Sequence, residues 1–317
     1  MTLPTFQKLT RTTLIYNLAV ILWGAYVRAS GSGAGCGNHW PLCNGEVVPR
    51  APRLETLIEL SHRLTSGLAL LAGLAVLVFA WKLFPAGHRV RSGAFWSFLL
   101  LLAEGGVGAA LVLFRLVAEN ESIARAGFMA AHLLVTFVLL AALTLTDLWA
   151  RGAPELGWRQ APRPLRRQLV WVASSLMLVG ASGAVAALGD TLYPASSLAQ
   201  GLAQDLSPTA SLFVKLRLIH PFLAAAVGLY LLFAVRPTGP RRAARSAPAL
   251  AVHWLVLGQL ALGTLNVGLL APIPLQLVHL LLADLLWVAT IALGAERLAT
   301  ARERTAASKS LAAQAAR

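Results

Sequence analysis

The chain has 317 residues, of which 57% are hydrophobic and only 13% charged, with a net charge of +14. A soluble domain carries about a quarter charged residues, so this composition excludes an ordinary water-soluble fold once the apolar residues fall in runs of about 20. The excess of basic residues invites a nucleic-acid reading, but their placement along the chain argues for membrane topology instead.

Eight apolar runs appear in order, at roughly 12–30, 56–81, 93–114, 124–148, 167–188, 210–235, 248–270 and 273–295. Backbone groups in lipid must be satisfied within each segment, so the expected class is an all-α polytopic membrane protein with eight spans. Lys8 and Arg11 before the first run resemble a signal peptide, but the run is long for the core of one and its removal would leave seven spans. With the N-terminus inside, the inner segments hold Lys8, Arg11, Lys82, Arg89, Arg91, Arg151, Arg159, Arg163, Arg166, Arg167, Arg236, Arg241, Arg242, Arg245, Arg297, Arg302, Arg304, Lys309 and Arg317. These are nineteen of the 27 Lys and Arg. That positive-inside bias predicts both termini in the cytoplasm, and the remaining basic character suits contact with anionic lipid.

The first outer loop, 31–55, contains the only cysteines, Cys36 and Cys43. An outer face is oxidising, so a disulfide is expected there. No Cys-x-x-Cys-His occurs, and covalent haem attachment is not indicated. A second long outer loop is expected at about 189–209. The residues after about 298 read as a frayed helix end or a disordered tail.

The second, fourth, sixth and eighth runs each carry one histidine: His62, His132, His220 and His279. Each lies about 9–14 Å below the outer edge at 1.5 Å per residue. A single histidine reads as a packing hydrogen bond. Four in one layer, one per outside-to-inside span, point to ligands. Zinc lacks a thiolate or carboxylate set here. Haem needs one axial His on each of two facing helices, which gives two sites, His62 with His132 and His220 with His279. His39, His88 and His253 fall in loops or at a helix end. The chain thus divides into a half at 1–150, a basic linker at 151–168, a half at 169–298 and a tail at 299–317. Four spans per half make any repeat parallel.

Arg28, Arg63, Lys215 and Arg217 near the outer edge read equally as partners for haem propionates or as side chains snorkelling to headgroups. Glu59 stands three residues before His62 on the same helical face. It reads equally as an acid, base or cation stabiliser beside a haem, or as a structural partner of Arg63. Glu104 and Asp284 read as packing or hydrogen-bonding groups near mid-membrane.

Val27-Arg28-Ala29-Ser30-Gly31-Ser32-Gly33, then Cys36, Trp40-Pro41-Leu42-Cys43-Asn44-Gly45 and Glu59-Leu60-Ser61-His62-Arg63 resemble the first outer loop and second helix of bacterial haem A synthases. Arg217-Leu218-Ile219-His220-Pro221 and Gln276-Leu277-Val278-His279 fit that family's later helices. The resemblance implies two four-helix halves in a bacterial plasma membrane. It implies oxidation of the C8 methyl of haem O to a formyl group, in two steps through a geminal diol, making haem A for terminal oxidases. His62 and His132 would face substrate haem O, His220 and His279 would ligate haem b, and Glu59 would be the catalytic carboxylate. A haem O synthase and the oxidase assembly machinery become plausible neighbours. One departure is that the family's Cys-Pro-Asp-Trp reads Cys36-Gly37-Asn38-His39-Trp40 here; another is that no second cysteine pair occurs in the later outer loop. A di-haem b-type quinone or ferric reductase, or a non-enzymatic haem carrier, would share the four histidines.

Overall fold

A computed structural model describes residues 1–235 and 246–315. Arg236, Arg241, Arg242, Arg245 and Arg317, part of the charge bias above, lie outside the described residues. The described chain is all-helical: α1 (Leu3–Ala29), α2 (Leu54–Leu83), α3 (Arg89–Leu113), α4 (Ile123–Ala150), α5 (Arg163–Leu192), α6 (Leu198–Leu206), α7 (Leu212–Ala234), α8 (Ala247–Gly268) and α9 (Ile273–Ala315), with a short 3-10 turn at Ser32–Ala34.

Seven helices, α2–α5 and α7–α9, are long and apolar enough to cross a membrane. α1 is long enough but not among them. Its apolar run is broken by Thr10, Thr13 and Asn17, which are buried, and by Arg28. The reason is packing against α4. Thr10 donates to Asp147 Oδ1 at 2.8 Å, and Gln7 donates to the Ala150 carbonyl at 2.9 Å. Leu64, Leu68 and Leu71 on α2 are 63%, 56% and 61% exposed. Such a contiguous apolar face belongs against lipid rather than water.

Two sequence expectations need correction. The stretch 189–209 is not a plain loop, because α5 continues to Leu192 and α6 follows after five residues. Ser197 caps α6 by accepting from the Gln200 amide. The tail is not frayed at 298, since α9 runs on to Ala315. Its Ala, Glu and Arg content favours helix even where no apolar face remains.

The helices α1 to α4 pack in chain order, α1 on α2, α2 on α3 and α3 on α4, and α1 closes on α4. Helices α5, α7, α8 and α9 pack the same way, with α5 closing on α9. The two sets meet along α4·α5, α4·α9 and α1·α9. Phe137 of α4 stacks on Trp287 of α9 with ring centroids 5.0 Å apart, and the Trp287 indole donates to the Phe137 carbonyl. The largest buried apolar cluster surrounds this pair, with Leu140, Val172, Leu231, Val252 and Leu286 among its members. Burying an aromatic pair of this kind contributes about 0.5–1.5 kcal/mol beyond its area.

Candidate functional site

Helix geometry brings the four histidines to one level. His62 is the ninth residue of α2, His132 the tenth of α4, His220 the ninth of α7 and His279 the seventh of α9. At 1.5 Å per residue they lie within about 5 Å of one depth along their helices. His62 lies near His132, and His279 near His220. The four therefore group as two pairs, one in each set of helices.

Three of the four rings lie against a glycine on the neighbouring helix. A Cβ at Gly24 of α1 would sit 2.8 Å from His62 Cε1. At Gly183 of α5 it would meet His220 Cε1 at 3.0 Å, and at Gly263 of α8 His279 Cε1 at 3.1 Å. Any larger residue would move the ring. These glycines were not singled out in the sequence, where nothing marks a contact between helices.

The polar partners of the rings differ. His132 Nδ1 lies 2.7 Å from Glu104 Oε2 of α3, close in distance but outside hydrogen-bond angles. His220 Nδ1 is 3.0 Å from the Ser182 hydroxyl of α5. His279 Nε2 is 3.4 Å from Gln259 Nε2 of α8. The Nδ1 atoms of His62 and His279 are buried without a hydrogen-bond partner. Glu104 precedes Gly108 by four residues, as Gln259 precedes Gly263. Pro221 directly follows His220 inside α7. It supplies no N–H to the preceding turn.

Glu59 is 3% exposed. Its Oε2 accepts the Cys36 amide at 2.8 Å, and its Oε1 accepts Arg63 Nη2 at 2.5 Å. Arg63 also donates to the carbonyls of His39 and Leu42, each at 2.7 Å. The Thr56 hydroxyl donates to the Gly35 carbonyl at 2.8 Å. Cys36 and Cys43 form a disulfide. The loop 31–55 is therefore stapled and then clamped to the first turns of α2, one turn from His62. The structural partnership of Glu59 with Arg63 is present.

Arg28, Arg63, Lys215 and Arg217 all have protein acceptors. Arg28 donates to the Ala187 carbonyl (2.8 Å), Thr191 Oγ1 (2.6 Å) and Gln276 Oε1 (2.9 Å), tying α1 to α5 and α9. Arg217 binds Asp205 and Asp190, and Lys215 donates to the Pro208 carbonyl at 3.1 Å. None of Arg28, Arg63 and Arg217 is simply reaching for headgroups, and a propionate at any of them must displace a protein acceptor. Asp284 is fully buried, and neither of its oxygens has a hydrogen-bond partner among the described residues. His39 and His253 are exposed, and His88 caps α3.

Paired imidazoles at one depth, glycine-backed rings and unpartnered buried ring nitrogens suit a flat macrocycle with axial ligands from facing helices. Among the described residues, no three His, Cys, Asp or Glu converge as a metal cluster would require.

A family profile described as cytochrome oxidase assembly protein, COX15-CtaA, matches residues 7–291. A Thermus thermophilus protein named protoheme IX farnesyltransferase is 46% identical over 298 residues, covering 92% of this chain and 48% of that protein. Proteins named heme A synthase from Bacillus mycoides and Bacillus cereus are 46% identical over 97 residues, covering 31% of this chain and 31% of theirs. The chain thus spans about half the length of the Thermus relatives it matches. With a profile match over most of its length and a four-histidine helical core, this chain belongs to the COX15-CtaA family of cytochrome oxidase assembly proteins.

Proposed function

We propose that this protein is a haem A synthase, an oxidoreductase that converts the C8 methyl of haem O to a formyl group for terminal oxidases. The observation that carries the reading is the pair of histidine pairs, one in each set of four helices. The names of the Bacillus relatives support the choice of reaction. The farnesyltransferase name belongs to a protein about twice as long and does not assign prenyl transfer to the part matched here.

In this reading α1 is an eighth crossing, and residues 1–150 and 169–298 are two parallel four-helix bundles. The equal placement of histidines and the Glu104/Gly108 and Gln259/Gly263 spacing support that repeat. Both termini lie on the cytoplasmic side of a bacterial plasma membrane, as the basic residues of the connections favour. A haem O synthase and the oxidase assembly machinery are the neighbours this reaction requires.

His62 and His132 hold the substrate haem O, and His220 and His279 hold a resident haem b. Bound haem b supplies one-electron transfer between the substrate site and an acceptor. Turning a methyl into a formyl group consumes one water and releases four protons and four electrons. Glu59 sits beside the first pair and takes a proton or stabilises positive charge at the reacting carbon. Because both its oxygens are engaged, it must release Arg63 or the Cys36 amide to act. Arg28, Arg63, Lys215 and Arg217 cluster at the outer end, where propionates exchange with their protein acceptors.

The occupied Glu59 also favours a second reading, a di-haem electron-transfer protein or haem carrier in which Glu59 only clamps the loop. Co-expression with a haem O synthase, acid–acetone extraction and mass spectrometry separate the two. The synthase yields haem A. Folded, reducible protein yielding only haem O or haem B contradicts it.

A further inference from the structure

On the face that carries the α4–α5 connection, an open groove of about 380 Å³ is lined by Trp158, Arg163, Arg166, Arg167, Val170 and Trp171. None of the three guanidinium groups has a hydrogen-bond or ion-pair partner among the described residues. The nearest acids along the chain are committed elsewhere. Asp147 pairs with Arg151, and Glu155 pairs with both Arg89 and Arg302. The first turn of α5 contains no acidic residue, although a helix N-terminus favours negative charge. Three cations and a helix start thus share one groove with no internal counterion.

The groove also has a polarity gradient. Arg163, Arg167, Val170 and Trp171 follow one another along one face of α5 at helical spacing. From Arg163 to Trp171 the helix rises about 12 Å. Val170 and Trp171 are 50% and 65% exposed on a helix apolar enough to cross a membrane. The charged end therefore opens toward water and the aromatic end toward hydrocarbon. Tryptophan is at home in that border zone, and basic pockets beside membrane helices bind anionic headgroups.

We propose that this groove is a binding site for the headgroup of an anionic phospholipid, its phosphate held by Arg163, Arg166 and Arg167 and its upper acyl chains lying along Val170 and Trp171. A free phosphate would satisfy the arginines but gain nothing from the apolar end. The site is distant in sequence from the histidines and stands whether or not the haem reading does.

The test uses the purified full chain in a neutral detergent. Binding of phosphatidylglycerol, phosphatidylcholine and inorganic phosphate is measured by native mass spectrometry, with thermal melting to confirm folding. Phosphatidylglycerol is expected to be retained and phosphatidylcholine not. At about 1 kcal/mol per basic residue near the surface, Arg163→Gln, Arg166→Gln and Arg167→Gln together should weaken retention about a hundredfold. If that variant fails to fold, Arg166→Gln alone should weaken it about fivefold. Arg89→Gln with Arg302→Gln, which removes two cations already paired to Glu155, should leave it unchanged. Equal retention of the two lipids, full displacement by equimolar phosphate, an unaffected groove variant, or an equal loss in the control variant would each overturn the proposal.

Discussion

The two sets of four helices place their histidines alike but surround them differently. In the first, His132 faces the carboxyl group of Glu104, and Glu59 stands one turn from His62 under a disulfide-stapled loop. In the second, His279 and His220 face the neutral groups Gln259 and Ser182. Of the acids in this half, Asp190 and Asp205 are bound to Arg217, Asp284 is buried five residues beyond His279, and Arg217 occupies the position three before His220 that Glu59 holds before His62. A pair set among neutral groups suits a haem that stays. A pair beside carboxyl groups suits a haem that is acted on and leaves. Under the proposed function, the shared scaffold would give the ligand geometry and Glu59 and Glu104 would set the first pair apart.

The largest expected effect is at Glu59. If the first pair is the site of chemistry, Glu59→Gln should lower haem A formation by about 10²–10⁴-fold, the usual range for losing a positioned acid or base. Single-turnover conversion of bound haem O measures it. Haem B content should not change, and a fall in haem B would break the division of labour between the halves.

Removing the loop staple comes next. Cys36→Ser with Cys43→Ser opens a loop of about eight residues and should destabilise by about 2–3 kcal/mol in the chain-entropy model. The loss should show as lower thermal stability and as easier proteolysis in 31–55. Haem B should again be spared.

Filling the glycine pockets sharpens the comparison, because the same clash can be introduced in either half. Gly24→Val should displace His62 and cost about 1–3 kcal/mol of overpacking strain. It should broaden the spectrum of the first haem only. Gly263→Val should do the same to the second haem through His279. If either substitution perturbs both haems equally, the sites are not separate.

The smallest effect is expected at Glu104. Glu104→Gln gives the first half the partner found in the second. A group that holds a metal-ligating histidine is typically worth 10–100-fold in affinity, and because Gln keeps the shape, about tenfold is expected at the first site. Equilibrium titration of haem into the purified variant reads it. An unchanged affinity would make Glu104 a packing residue.

Much of this arrangement was legible in the sequence. His62, His132, His220 and His279 stand out because a histidine in an apolar run is costly and four at one depth share a cause. The Cys36–Cys43 bridge was legible because no other cysteine exists to pair with either. α6 was hidden because nine residues make only about two and a half turns, too few for the recurrence of Leu198, Leu202 and Leu206 to stand out from the surrounding loop. The extended α9 was hidden because its Ala-rich end has helix propensity without an apolar face. Contacts across helices left no local trace at all. Gly24, Gly183 and Gly263 matter only through the ring opposite. Arg28 read equally as a propionate partner or a snorkelling cation because its partners, Ala187, Thr191 and Gln276, lie far along the chain.

The central claim is that the two histidine pairs are unequal. It is tested most directly by pigment content in two variants co-expressed with a haem O synthase. His62→Ala should retain haem B and contain no haem A, whereas His220→Ala should lose haem B and still bind haem O. Loss of the same pigment from both variants, or haem A persisting in His62→Ala, would contradict the account.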